Sequence, residues 1–265
     1  MISKMQAAII RKDIGGITAN KRMLTALIIV PVMMAVFLPV IFIFTVFFTP
    51  VDSPDMQQLL QMLNFSKMKI DDNVQIMVLN LILNYVMPLF FVMIPIMASS
   101  VMAASSFVGE KEKNTLETLL YCPLSLKEIF SAKIFAAFLL GMTLSVASFF
   151  IMMITVQTLL FIFMENVILP NINWLIMMLL VSPAAALIAI NLIVRGSAKA
   201  QSFEESQQTS VFLVLPIILL IMGQFTGIMM ISAFLFFVIG AALALIAVVM
   251  FKGEFGKFNY EALNK

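Results

Sequence analysis

The sequence contains no histidine and a single cysteine, Cys122. The first absence removes histidine-based acid–base catalysis, histidine metal ligands and histidine proton relays. The second removes internal disulfides and multi-cysteine metal sites, and leaves Cys122 to be read as a small apolar filler. Charge is also scarce. Only 11% of the 265 residues are charged, whereas a soluble domain carries about 25%. That is too little to coat a water-soluble surface, and the hydrophobicity is too high for a disordered chain. A formal net charge of +2 gives no basic excess for nucleic acid. What is abundant is apolar: 62% of residues are hydrophobic and the mean hydropathy is +1.09. These values describe a membrane-embedded protein.

A spanning helix needs about 20 apolar residues to cross a core about 30 Å thick. Uncharged runs occupy residues 23–51, 73–109, 134–164, 166–194 and 206–251. The last is long enough for two helices, with a polar, glycine-flanked turn at Gly223-Gln224-Phe225-Thr226-Gly227. Between the third and fourth runs, Glu165, Asn166, Pro170, Asn171 and Asn173 mark a loop. Six spans are predicted, at about 24–48, 74–105, 134–163, 174–194, 210–229 and 231–251. The first run has twice the apolar length of a signal core and no A-x-A-like cleavage site after it, so it is expected to be a retained span. Fourteen of the 16 basic residues fall on the side that holds both termini, and only Lys67 and Lys69 fall on the other. The positive-inside rule therefore places the termini in the cytoplasm, and the expected location is the plasma membrane.

The segment between the second and third spans is the most informative. It reads Glu110-Lys111-Glu112-Lys113-Asn114-Thr115-Leu116-Glu117-Thr118-Leu119-Leu120, then Pro123, Ser125, Glu128, Ile129 and Lys133. Thr115 is a plausible N-cap, Leu116, Leu119 and Leu120 form one apolar stripe, and Pro123 ends the element. A helix of about two turns is not stable alone in water. It must pack against its own membrane domain, the lipid interface or another protein, unless the stretch is simply a solvated turn with interfacial leucines.

The pattern E-K-E-x-x-T-L-E-x-L-L-x-x-P-x-S-x-x-E-I from Glu110 to Ile129, with Lys133 after it, resembles the signature of the permease subunits of type-2 ATP-binding-cassette exporters. Arg11-Lys12-Asp13 before the first span is similar to that family's interfacial connecting helix. Phe203-Glu204-Glu205-Ser206-Gln207-Gln208, followed by Leu215-Pro216, is similar to a stretch before its fifth span. The resemblance implies a permease that works with a second copy or a paralogous permease and with two copies of a separate ATPase subunit. It also implies a coupling helix seated on that ATPase, within a coupling segment over 109–128. Carried over by position, Glu110, Glu112, Thr115, Leu116, Glu117, Leu119, Leu120 and Pro123 form that coupling element. The chain itself shows no G-x-x-x-x-G-K-[ST] phosphate loop at any of its ten glycines. No cofactor is therefore expected in this chain, with ATP and magnesium on the partner ATPase.

Other features complete the reading. Residues 1–22 place Ile2, Met5 and Ile9 along one side, with Arg11, Lys12, Lys21 and Arg22 for headgroups. This predicts an interfacial helix that Gly15-Gly16 would break. The second span is expected to continue towards Glu112, kinked at Pro88 and Pro95, with small residues Ala98, Ser99, Ser100, Ala103 and Ala104 used for close packing. Asn80 and Asn84, four apart, share a face with Met87 and Phe91. They either line a translocation path or bond between helices. The 23 methionines and 25 phenylalanines suit a surface for varied apolar substrates, and equally suit plain lipid-facing packing. Gly240-x-x-x-Ala244 gives the sixth span a small face.

The expected fold is thus all-α, a single polytopic membrane domain over 1–265 with six spans, an interfacial helix and a coupling helix. The expected function is ATP-driven export of an amphipathic molecule, such as an antimicrobial peptide or a drug. An ion-gradient-driven secondary transporter is the alternative, although no charge lies within an assigned span to serve it. An integral membrane enzyme lacks a candidate constellation.

Overall fold

The structure is a computed structural model that describes residues 3–54, 56–57, 74–112, 123–197, 200, 202–208, 211–225 and 232–255. Within these residues it is all-α, and five helices are long and apolar enough to cross a membrane: Met23–Phe48, Val74–Glu112, Leu126–Met164, Ile172–Ser197 and Ala233–Phe251. A sixth, Val211–Phe225, is shorter. At about 1.5 Å per residue it rises roughly 22 Å, yet it links the two faces of the bundle. The stretch before it is bonded to Glu112 through Phe203, and Gln224 near its end bonds Tyr85. The described turn residues Gly223 and Gln224 belong to this helix rather than to a loop.

The polar contacts sort onto two faces. One gathers the N-terminal helix, the end of the second span, the start of the third and the ends of the fourth and sixth. Lys12 meets Glu110, Gln6 meets the Glu128 carbonyl, and Arg195 meets the Met250 carbonyl there. This is the charged face. On the far face Gln75 bonds the Val46 and Phe47 carbonyls, and Asn84 bonds the 166–171 loop.

The second span is the axis of the bundle. Of its most apolar stretch 78% is buried, against 17% for the sixth span, so lipid-facing surface is carried by the outer helices. Ala98, Ser99, Ser100, Ala103 and Ala104 are all buried on it. Opposite them, a Cβ added to Gly141 of the third span would lie 2.1 Å from Ser99 Oγ and 3.2 Å from the Pro95 carbonyl oxygen. The small residues therefore serve close helix contact, as their spacing predicts. Gly240 is used in the same way within the chain, where a Cβ would meet Leu180 Cδ2 at 2.8 Å.

Three spans widen into a π-helical turn, at Met33–Phe37, Ile82–Val86 and Met177–Val181. Each ends two residues before a proline, Pro39, Pro88 or Pro183. A proline has no N–H to donate and its ring crowds the carbonyl one turn back, so an added residue in the preceding turn moves that carbonyl aside.

The N-terminal helix, Lys4–Ala19, differs from its prediction. It runs unbroken through Gly15 and Gly16. Glycine costs a helix only about 1 kcal/mol, and here Ile9, Asp13 and Ile17 are buried on one face and hold the helix to the bundle. Met5 is exposed, and Ile2 lies outside the described residues.

Candidate functional site

A cluster of buried charge sits where the N-terminal helix meets the second and third spans. Asp13 reaches it because it lies four residues from both Ile9 and Ile17 and so faces inward. Ser106 and Glu110, again four apart, come from the last turns of the second span. Lys133 comes from the third-span helix, which begins at Leu126, well before the uncharged run. Only 2% of Lys133 is exposed, against 8% of Asp13 and 7% of Glu110.

A buried ammonium survives only if its donors and charge are both answered. Lys133 Nζ donates to the Ser106 carbonyl at 2.7 Å, to Ser106 Oγ at 3.0 Å and to Glu110 Oε2 at 2.7 Å. All three of its N–H groups are thereby used. Asp13 Oδ2 lies 3.6 Å away and accepts a hydrogen bond from the Ser106 hydroxyl. The serine thus links lysine to aspartate. Lys12 Nζ bonds the other oxygen of Glu110 at 2.6 Å from the exposed side. Two cations face two anions, so the cluster is neutral. A hollow of about 220 Å³ lies beside it, lined by Lys12, Asp13, Gly16, Ser105, Gly109 and Glu110 among others.

The two residues after Glu110 carry the network to the short helix Phe203–Gln208 and the residue Ala200 before it. Lys111 Nζ donates to the Ala200 carbonyl at 3.2 Å, and Glu112 Oε2 accepts from the Phe203 N–H at 3.2 Å. On the other side of the predicted coupling element, Pro123 lies in an exposed bend and Ser125 caps the third-span helix. Ser125 Oγ accepts from the Glu128 N–H while Glu128 Oε2 accepts from the Ser125 N–H at 2.8 Å. The S-x-x-E of the sequence pattern is therefore a capping box. Thr115, Leu116, Glu117, Leu119 and Leu120 lie outside the described residues. The cluster joins the two helices that flank that segment, since Glu110 lies in the last turn of the helix before it and Lys133 about two turns into the helix after it.

The other predicted group is dispersed. Asn80 is exposed. Asn84 is 3% exposed. It donates to Asn80 Oδ1 at 2.7 Å and to the Leu169 carbonyl at 3.2 Å, and accepts from the Asn171 N–H at 2.9 Å. Met87 is fully buried, and Phe91 packs edge-on against Trp174 with ring centres 5.0 Å apart. In the structure Asn84 fixes the 166–171 loop, while Met87 and Phe91 fill the core.

Asp13, Ser106 and Lys133 were not read from the sequence as site residues. Asp13 enters the sequence reading only within Arg11-Lys12-Asp13, the stretch similar to an interfacial connecting helix, although its spacing from Ile9 and Ile17 already places it on an apolar stripe. Among the described residues no cluster of three or more His, Cys, Asp or Glu side chains forms a metal site. The arrangement fastens helices together, and what it can do is transmit displacement.

A family model described as "ABC-2 family transporter protein" matches residues 56–195, more than half of the 265-residue chain. No curated protein and no solved structure matches the chain. The matched region holds the second, third and fourth spans together with the segment between Glu110 and Lys133.

Proposed function

The chain belongs to the ABC-2 family of transporter proteins, and on that premise we propose that it is the permease subunit of an ATP-driven exporter. Membership makes it a membrane transport subunit of a class that associates with an ABC ATPase. The finer reading is that two copies of the ATPase bind and hydrolyse ATP with magnesium, and that two permeases, identical or paralogous, form the pathway. The charged face is cytoplasmic, in the plasma membrane, and the cargo is an amphipathic molecule such as an antimicrobial peptide or a drug.

The observation that supports this reading is the ion pair that joins the two helices flanking residues 113–122. Glu110 and Lys133 are bonded at 2.7 Å, so the two strands of chain that leave and re-enter the membrane domain are fastened together. A push on the loop is then delivered to the second span, the third span and the N-terminal helix as one body. A loop with unlinked feet would instead flex and dissipate it. Lys111 and Glu112 pass the same displacement to the short helix Phe203–Gln208, which precedes the fifth helix in the chain. In this scheme Leu116, Leu119 and Leu120 pack in a groove of the ATPase, Glu112 and Glu117 face its basic groups, Thr115 caps the short helix, and Pro123 sets its exit.

The test replaces Leu116 and Leu120 with Asp in the purified complex. The membrane domain is expected to keep its helix content and its melting temperature while ATPase association and substrate-stimulated turnover fall at least tenfold. Full association and turnover in the double variant would refute the coupling assignment.

A further inference from the structure

Beyond the cytoplasmic linkage, the far half of the second span holds a second device. At the π-helical turn Ile82–Val86 the Met87 N–H passes over Leu83 and bonds the Ile82 carbonyl. Pro88, next in line, has no N–H to give to Asn84. Two successive carbonyls thus lose their intrahelical donors in a buried setting, where an unmet carbonyl is costly. Side chains from other spans supply the donors. Trp174 Nε1 donates to the Leu83 carbonyl at 3.0 Å, and Asn173 Nδ2 donates to the Asn84 carbonyl at 2.9 Å. At the next residue, Gln224 Nε2 donates to the Tyr85 carbonyl at 3.3 Å.

These three attachments differ in kind. Trp174 is wedged between Phe91 and Phe149, at ring separations of 5.0 and 5.1 Å. Asn173 neighbours it in the same helix, and Asn171, two residues earlier, is also held by Asn84. The fourth span is therefore riveted to the bulge. Gln224 makes the longest of the three bonds, and its own Oε1 is buried with no hydrogen-bond partner among the described residues. It sits on the shortest crossing helix, whose contact with the core at this end is the small cluster of Ile221, Leu89 and Phe236. The short helix that precedes this crossing helix in the chain, Phe203–Gln208, is tied to Glu112 through Phe203, and Ala200 just before that short helix is tied to Lys111.

We propose that Gln224 is a positioning residue of the transport cycle: its amide clasps the fifth helix to the Tyr85 carbonyl, and the clasp opens when displacement at the charged face swings that helix away from the bulge. The Trp174 and Asn173 bonds stay closed, so the second and fourth spans form the fixed wall and the fifth helix the moving one. Opening the clasp breaks only this one hydrogen bond between helices and no intrahelical bond. The idea rests on the permease reading for its place in a cycle, but the motion belongs to the chain alone.

The test is a distance measurement on the full chain in lipid nanodiscs. Spin labels are placed at Leu169→Cys, in the loop fixed to Asn84, and at the exposed Met222→Cys of the fifth helix, with Cys122→Ser removing the native thiol. Losing one neutral hydrogen bond shifts a two-state ratio by up to about tenfold. Gln224→Leu is expected to raise the share of a longer-distance population about fivefold. Gln224→Asn, which keeps the amide but is one methylene too short to reach, gives the same shift and covers the case in which the leucine variant fails to fold. Trp174→Phe leaves the distribution unchanged. An unaltered distance distribution in both Gln224 variants, with only the melting temperature lowered, would overturn the clasp. That result would leave the permease reading intact, since no ATPase takes part. Conversely, loss of the permease reading would leave the distances standing.

Discussion

Replacing Lys133 with Met removes the cation at the centre of the ionic cluster while keeping a side chain of similar length. Three donated bonds disappear at once: two to Ser106, at 2.7 and 3.0 Å, and one to Glu110 at 2.7 Å. Bonds involving a charged group are worth about 1.5–3 kcal/mol each, but they share one donor atom and do not add. Glu110 keeps Lys12, which is itself exposed, whereas Asp13 keeps only the Ser106 hydroxyl as a neighbour in the cluster. The better bound is the cost of breaking a buried pair from one side, about 3–5 kcal/mol. For a chain of this size that corresponds to a fall in melting temperature on the order of 10 °C. Trp174, the only tryptophan, lies on the far face and reports global unfolding by its fluorescence without touching the mutated site. The decisive comparison is a cycle with Glu110→Gln. If the two side chains act on each other, the double variant is less destabilised than the sum of the singles by about 1–3 kcal/mol. A Lys133→Met protein as stable as the parent, or a cycle additive within about 0.5 kcal/mol, would refute the account of the cluster.

Gly141→Ala is expected to cost about 1–3 kcal/mol through overpacking, because its new Cβ would collide with Ser99 Oγ; Ser99→Ala in the same chain should recover part of the loss in a thermal melt. Asn84→Ala should raise amide hydrogen exchange in the 166–171 loop at least tenfold, since it removes the bonds to Leu169 and Asn171, and unchanged protection there would show that other contacts hold the loop. Ser125→Ala removes the capping box and should cost about 1 kcal/mol. Under the proposed exporter reading, its larger effect should appear as lowered ATP-driven transport, because the cap starts the helix that follows residues 113–122.

Much of the architecture was legible because a bilayer imposes a length on apolar runs. The spans follow from where charge is absent, and the N-terminal helix from an apolar stripe that includes Ile9. The same logic failed at Asp13 and Lys133, since sorting by charge assigns every ionic side chain to water and cannot see two opposite charges burying one another across 120 residues of chain. Gly15 and Gly16 were read from local propensity, which the anchoring of Ile9, Asp13 and Ile17 overrides. The capping boxes at Ser3–Gln6 and Ser125–Glu128 were available in the sequence as S-x-x-Q and S-x-x-E. The Ser125 box would have started the third helix at Leu126. The π-helical turns also have a sequence correlate in Pro39, Pro88 and Pro183, but a proline announces only that a carbonyl must move. Which donor meets it, Trp174 or Asn173, is a matter of tertiary packing.

The central claim is that this chain moves its cargo only when a separate ATPase pushes on the loop between Glu110 and Lys133. Transport of an amphipathic fluorescent peptide into inside-out proteoliposomes tests it most directly, with the purified chain reconstituted alone and together with the ATPase that co-purifies at native expression. The account predicts ATP-dependent uptake with the ATPase and none without it. Uptake by the chain alone, driven by an imposed ion gradient in the absence of ATP, would contradict it.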